Sequence, residues 1–368
     1  MKKGYYIYAE NFNSSGVSKK IKMQIEALSS RFIMKEVLVK SSERTVLQRI
    51  YGLLFWNSFE REYQAALNEL DNPDFVYIRM ILVDRKYLAF LKGIKEKYPM
   101  CNIIVEIPTY PYKGEMLSHW YTTFMYVKEI IYRHKYKEYI DRFVTFSEDD
   151  EILGVPTICT INGINVENIA VVKGEYRKNS IRLIGVAHMQ KYHGYERIIE
   201  GLREYYQKGK QKYTIELLLV GDGTEREKYY KLVEKYDLSN YVKLYHTMSG
   251  AQLDELYDIS DMALASFGVY KYGFYGKLSQ LKTREYLAKG MPILTGCEID
   301  VLDENYKYVR NFENGPRNVD MLEIVTFFEN ITKGGISKQE IAQQIRQYAL
   351  QNVSMETAMK PIIDYIES

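Results

Sequence analysis

What most constrains this chain is an alternation of short apolar runs with helix-period stretches, and the alternation occurs twice. The first series holds GYYIYA (4–9), FVYIRM (75–80), NIIVEI (102–107), RFVTFS (142–147) and TICTI (157–161), with helical periodicity from about Ser18, over 84–97 and over 118–140. The second holds IRLIGVA (181–187), TIELLLVG (214–221), YVKLYH (241–246), DMALAS (261–266) and PILTG (292–296), with helices expected over 195–208, 224–236, 250–258 and 280–289. Runs this short and this apolar are strands buried on both faces. Strands separated by helices are parallel, with right-handed crossovers. The expected fold class is therefore α/β, with two Rossmann-like doubly wound domains, and 368 residues is more than one compact core accommodates. The polar, aperiodic stretch NVENIAVVKGEYRKNS (165–180) is the expected hinge, separating a domain over 1–165 from one over 166–349. From about Ser337 the chain reads as one or two helices, and the last, about 350–368, is placed to pack back on the first domain.

Composition excludes function classes. A formal net charge of +2 gives no field for a polyanion, so nucleic acid is not an expected partner. Cys101, Cys159 and Cys297 are far apart with no CxxC spacing, which argues for a reducing compartment and against structural zinc or a disulfide framework. No window has the apolar length of a membrane span. MKKGYYIYAENFN reads as a first strand rather than a leader. The expected location is the cytoplasm, with the inner face of the plasma membrane as the other candidate. The 35 tyrosines suit sugar stacking or a membrane interface as well as ordinary packing, and decide nothing alone.

Ligands of open parallel sheets bind outside the carboxyl ends of strands, where loops run into helix N-termini. In the second series these loops are AHMQKYHG (187–194), GDGT (221–224), HTMSG (246–250) and SFGVYKYGFYGKLSQ (266–280). The last feeds a short helix with Ser279 as expected N-cap and Gly290 followed by Pro292 as its stop. Its first N–H groups, at Leu281 to Thr283, form an anion site to which Lys282 adds charge. Glu285 is placed to accept hydrogen bonds from a vicinal diol such as a ribose. Solvated surface residues are the ordinary fate of Lys and Glu at such a position.

Five segments then carry a resemblance, in order along the chain: NFNSSGVSKK (11–20), SEDDEILGVPTICTINGIN (147–165), LIGVAHMQKYHGYERIIEGL (183–202), LLLVGDGTEREKYYKLVEKYDLSNYVKLY (217–245) and LSQLKTREYLAKGMPIL (278–294). Together they resemble the GT-B glycosyltransferases of family 4, the glycosyl transferases group 1 type of bacterial capsule and exopolysaccharide synthesis. The resemblance implies two Rossmann-like domains facing across a cleft, a nucleotide-sugar donor (a UDP-sugar favoured) held by the second, and a glycan acceptor held by the first. It also implies retention of anomeric configuration. Glu285 matches the glutamate on the donor ribose, and the amides at 281–283 meet the diphosphate. The family's Glu-x7-Glu pattern has Lys277 at its first position here. Its usual arginine falls on Ala187 and its lysine on His193, so Lys191, His188 and Lys282 are the cations available to replace them.

The remaining candidates are placed around that frame. Glu106, Lys191 and Lys282 are the catalytic candidates, the lysines neutralising the leaving diphosphate. Donor-binding candidates are Gly16, Val17, His188, His193, His246, Met248, Lys271, Leu281, Thr283 and Glu285, with His246 and Met248 toward the base and Lys271 on a loop able to close over the donor. In VEIPTYPYKGE (105–115), Thr109 and Tyr110 are expected beside Glu106 at the cleft edge as acceptor contacts; a rigid structural loop fits the same residues. No metal or other cofactor is expected: there is no Asp-x-Asp, and the acidic run 148–151 reads as a solvated cap. LQRIYGLLFWNSF (47–59) and the mildly basic, amphipathic 119–142 suit contact with anionic membrane and a lipid-linked acceptor, and suit packing on the first sheet equally. A GT-B sugar-nucleotide epimerase and a non-catalytic GT-B subunit are the alternatives. The first lacks an acid/base constellation, and the second has only the Lys277 and Ala187 departures in its favour.

Overall fold

The structure, a computed structural model, describes residues 1–9, 15–39, 60–80, 84–117, 120–209, 211–303 and 305–368. The aromatic run 47–59, His119 and residues 11–14 of the first glycine loop lie outside the described residues. The chain divides into two compact units, Met1–Gly163 with Met355–Ser368, and Ile164–Ser354.

The first unit is built on a seven-stranded sheet of order β2-β1-β3-β4-β5-β7-β6. Its strands are β1 (Lys3–Ala9), β2 (Ile33–Val39), β3 (Phe75–Arg79), β4 (Asn102–Glu106), β5 (Arg142–Thr145), β6 (Glu151–Ile152) and β7 (Val155–Cys159). All pairings are parallel except β6 with β7. The apolar runs of the sequence are the central strands, and β3 is buried at every position. Strand β2 was not evident in the sequence because it is an edge: only Val37 and Val39 are buried, and its outer half is a polar mixture. Helices Ser15–Ser29 and Met355–Glu367 cover one face through Ile21, Ile25, Leu28, Met359, Ile362 and Ile366.

The second unit carries an all-parallel six-stranded sheet of order β10-β9-β8-β11-β12-β13. The strands are β8 (Ser180–Val186), β9 (Thr214–Val220), β10 (Val242–Tyr245), β11 (Met262–Leu264), β12 (Ile293–Thr295) and β13 (Val309–Asn311). Helices Glu196–Gln207, Arg226–Lys235 and Ala251–Asp258 fill the crossovers. Helix Leu281–Lys289 joins β11 to β12 after a long loop. Gly290 ends that helix at φ 78°, and a Cβ there would lie 2.4 Å from the Ala342 carbonyl. Only glycine permits both the left-handed turn and so close an approach of helix Lys338–Asn352. Ser337 caps the latter reciprocally with Glu340. Among the described residues no helix is long and apolar enough to cross a membrane.

Candidate active site

In the second unit the loops leaving β8, β9, β10 and β11 are fastened to one another. Met189 N donates to the Asp222 carbonyl at 2.6 Å, while Phe267 N and Gly268 N donate to the carbonyls of His193 (2.8 Å) and Tyr192 (3.0 Å). Gly194, at φ 62°, makes the second contact possible, since a Cβ would lie 2.4 Å from Gly268 N. Asp222 ties the next loop: its carboxylate accepts from Thr247 N (3.0 Å) and Thr247 Oγ1 (2.8 Å) and meets His246 Nδ1 at 2.7 Å. These donors, the Thr247 N–H first and then His246 and the Thr247 hydroxyl, hold the Asp222 carboxyl well below the usual range. His246 is thereby oriented, and it stays exposed beside the partly buried Met248. Asp222 was not among the residues expected from the sequence; its signal was the GDGT turn itself.

Helix Leu281–Lys289 differs from its expected form at the first turn. The N-cap is Gln280, not Ser279, and the Gln280 side chain does not cap the helix. Gln280 turns its amide to Ser266 Oγ (3.0 Å), and Ser279 Oγ accepts from Arg284 at 3.1 Å. Arg284 is fully buried and clamps Asp300 with Nη2 at 2.5 and 2.6 Å, tying the loop after β12 to the helix. Thr283 N–H goes to the Gln280 carbonyl (3.2 Å), so of the three expected amides those of Leu281 and Lys282 are the ones without a backbone acceptor among the described residues.

Lys282 lies in that turn. Its Nζ donates to the Ala265 carbonyl at 2.7 Å and to Tyr195 Oη at 3.3 Å, just past the carboxyl end of β11. Among the described residues it has no carboxylate partner. Loss of hydration pushes its pKa down to about 7, against a smaller opposing pull from Cys297. His193, aligned with the family lysine, does not supply charge: it is buried, its Nδ1 accepts from Gln190 N at 3.0 Å, and burial with the nearby Lys282 charge drives it down to about 2. The ring is neutral with its proton on Nε2, a donor rather than a cation. Of the two residues, Lys282 is the one able to carry positive charge.

The other candidates are dispersed. His188 and Lys191 are exposed on the loop after β8. Lys271 is bound to Glu196 and reaches the Lys191 carbonyl at 3.3 Å, which pins its loop to the 3-10 turn Lys191–His193. Glu285 is exposed on the helix beyond Lys282, and Leu281 is half-buried. Lys277 lines a pocket of about 150 Å³ with Glu298, Asp303 and Asn311.

In the first unit, Gly16 and Val17 belong to the first turn of helix Ser15–Ser29 and not to a loop. Glu106 was expected at an open edge; instead it is completely buried at the end of β4. Its Oε1 meets Arg79 and Lys20 Nζ (3.4 Å), and Oε2 accepts from Tyr77 Oη and Gln24 Nε2, both at 2.6 Å. Burial alone would raise this carboxyl, but Lys20, Arg79, Tyr77 and Gln24 outweigh it and hold it at about 2. With both oxygens occupied, Glu106 organises a buried network and offers no free base. Thr109 is exposed, while Tyr110 is half-buried and packs edge-on to Tyr112 at 5.9 Å. Among the described residues no group of acidic, histidine or cysteine side chains forms a metal-ion cluster.

Residues 167–270 match the family model described as glycosyl transferases group 1. Comparison with solved structures gives whole-chain matches. A glycosyltransferase from Rickettsia africae is 10% identical with a TM-score of 0.64, covering 100% of this chain and 98% of that one. The lipopolysaccharide outer core galactosyltransferase WaaB is 12% identical at 0.60, covering 100% of each. Sucrose-phosphate synthase from Thermosynechococcus elongatus is 12% identical at 0.68, covering 100% and 99%. A search of curated protein sequences returned no match. The fold is GT-B, as the sequence resemblance implies, and residues 167–270 carry the match to a glycosyl transferases group 1 domain.

Proposed function

We propose that the chain transfers a sugar from a nucleotide-sugar donor, a UDP-sugar in the favoured case, to a lipid-linked glycan in bacterial surface polysaccharide synthesis, with retention and without a metal. The observation that carries this reading is the juxtaposition, in the unit whose residues 167–270 match the group 1 model, of a helix N-terminus that its N-cap side chain leaves open with a partly buried lysine that has no acidic partner among the described residues. Both features favour a bound diphosphate. The Leu281 and Lys282 amides and the Lys282 ammonium stabilise the charge that develops on it as the bond to the sugar breaks. Glu285, farther along the helix, accepts from the ribose diol, and His246, held by Asp222, borders the base. In the transfer, the anomeric C–O bond to phosphate breaks with its electron pair passing to the diphosphate. The acceptor hydroxyl oxygen bonds to the same face of that carbon, and its proton goes to the departing phosphate oxygen. A glycan acceptor accords with the similarity to WaaB, a lipopolysaccharide outer core galactosyltransferase.

The test is a panel of UDP-, GDP- and dTDP-sugars read by thermal stabilisation and slow donor hydrolysis, with Glu285→Ala as control. Stabilisation of roughly 2–3 kcal/mol is expected at about a hundredfold excess over Kd. Failure of every nucleotide to stabilise the protein would sink the reading.

A further inference from the structure

In the first unit, helix Trp120–Tyr132 (WYTTFMYVKEIIY) is packed with its polarity reversed. Trp120 is 76% exposed, and Val127, Ile130 and Ile131 are each more than 40% exposed. Trp120, Val127 and Ile131 stand at i, i+7 and i+11, so they form one stripe along a helix about 20 Å long, from the 1.5 Å rise per residue. Leu117, just ahead of the helix, is exposed as well. The opposite side holds Glu129, 3% exposed, and Lys128, 5% exposed, lies about 80° around the helix from Trp120. Glu129 accepts from the Tyr112 hydroxyl, and Tyr126 packs on the Tyr112 ring at 6.1 Å. In water this arrangement is unfavourable twice over, because it buries charge and hydrates a contiguous apolar stripe.

Cations flank the stripe. Lys113 precedes it, and His134, Lys135 and Lys137 follow in the 3-10 segment Arg133–Glu138, all exposed; Glu138 is the exposed carboxylate among them. A second copy of the chain would fit poorly, since a two-fold contact sets each patch and its cations against the same patch on the partner. A surface that accepts apolar side chains and carries negative charge fits both features, with the tryptophan at headgroup depth.

We infer that the outward face of Trp120–Tyr132, with Lys113, Lys135 and Lys137, seats the first unit on an anionic lipid surface, the helix lying in the plane of the interface. This deepens the reading of a lipid-linked acceptor by naming the face that meets the membrane, and its test is separate from donor binding.

The experiment is flotation of the full chain with phosphatidylcholine vesicles, with and without phosphatidylglycerol. Binding is expected to the phosphatidylglycerol vesicles, at least tenfold stronger than to phosphatidylcholine alone and weakened by salt. Trp120→Ser with Ile131→Ser should lower it at least tenfold, leaving thermal stability and nucleotide-induced stabilisation unchanged. Lys135→Glu with Lys137→Glu should remove the preference for phosphatidylglycerol. Failure to float, binding indifferent to both double variants, or a concentration-dependent dimer dissolved by Trp120→Ser with Ile131→Ser would each overturn the inference. Failure of nucleotides alone would leave the membrane face standing and remove the transferase reading.

Discussion

Two lysines, one in each unit, Lys20 buried and Lys282 partly so, keep opposite company. Lys20 lies against Glu106 with Arg79 beside it, and its Nζ also meets Asn162 Oδ1 at 2.5 Å and the Phe146 ring at 3.9 Å. Lys282 meets a carbonyl, a phenol and the Tyr195 ring at 5.4 Å. A buried cation with a carboxylate is a structural element whose charge is answered within the fold. A desolvated cation without one costs stability until an anion arrives. On the proposed function, the contrast separates a site that holds the first unit together from one that takes a ligand in the second.

Removing the internal anion is the strongest way to break this contrast. Glu106→Ala leaves Arg79 and Lys20 facing each other in a dry core and should destabilise the first unit by about 3–5 kcal/mol. Urea unfolding monitored in that unit checks it; a loss under about 1 kcal/mol would mean the network is not structural. Lys282→Met should do the reverse: the unliganded protein is as stable as wild type or slightly more so, while affinity for nucleoside diphosphate falls about ten- to a hundredfold, the value of a charge-assisted hydrogen bond. Thermal melts with and without nucleotide separate the two effects.

Acid and alkali sharpen the same difference. Glu106 sits at about 2 in the folded protein against an ordinary 4.5, so its stabilisation is whole above about 4.5 and is lost as pH falls toward 2. Lys282 is lowered to about 7 from 10.5, so the unfolded chain binds the proton more tightly. Stability of the unliganded second unit should therefore rise with pH between about 7 and 10, a rise that Lys282→Met abolishes. Glu285→Ala, on an exposed side chain, has the smallest expected effect: about a tenfold weaker hold on nucleotide sugars with no change in melting temperature.

The sequence carried the strands that are buried on both faces, since continuous apolar runs such as FVYIRM and TIELLLVG have no other stable use in a chain of this kind. It carried β2, β6 and β13 poorly because edge and two- or three-residue strands need little apolar signal. Local hydrogen bonding misled the reading of Ser279, whose hydroxyl is claimed by Arg284 instead of the helix N-terminus. Glu106 looked like a loop-edge acid because its partners Lys20, Gln24 and Arg79 lie on other elements, remote in sequence. The exposed Trp120 stripe was visible as amphipathicity, but which side faces inward is fixed by the Tyr112 hydroxyl donating to Glu129.

The central claim is that Lys282 completes its charge pairing with a donor diphosphate. Calorimetric titration at pH 8.5 with UDP, GDP and dTDP, in two buffers of different ionisation enthalpy, counts the protons taken up by the tightest binder. An apo lysine at about 7 that is held charged in the complex requires uptake of about one proton per nucleotide in wild type and almost none in Lys282→Met. Absence of binding by all three nucleotides, or the same uptake in both proteins, would contradict it.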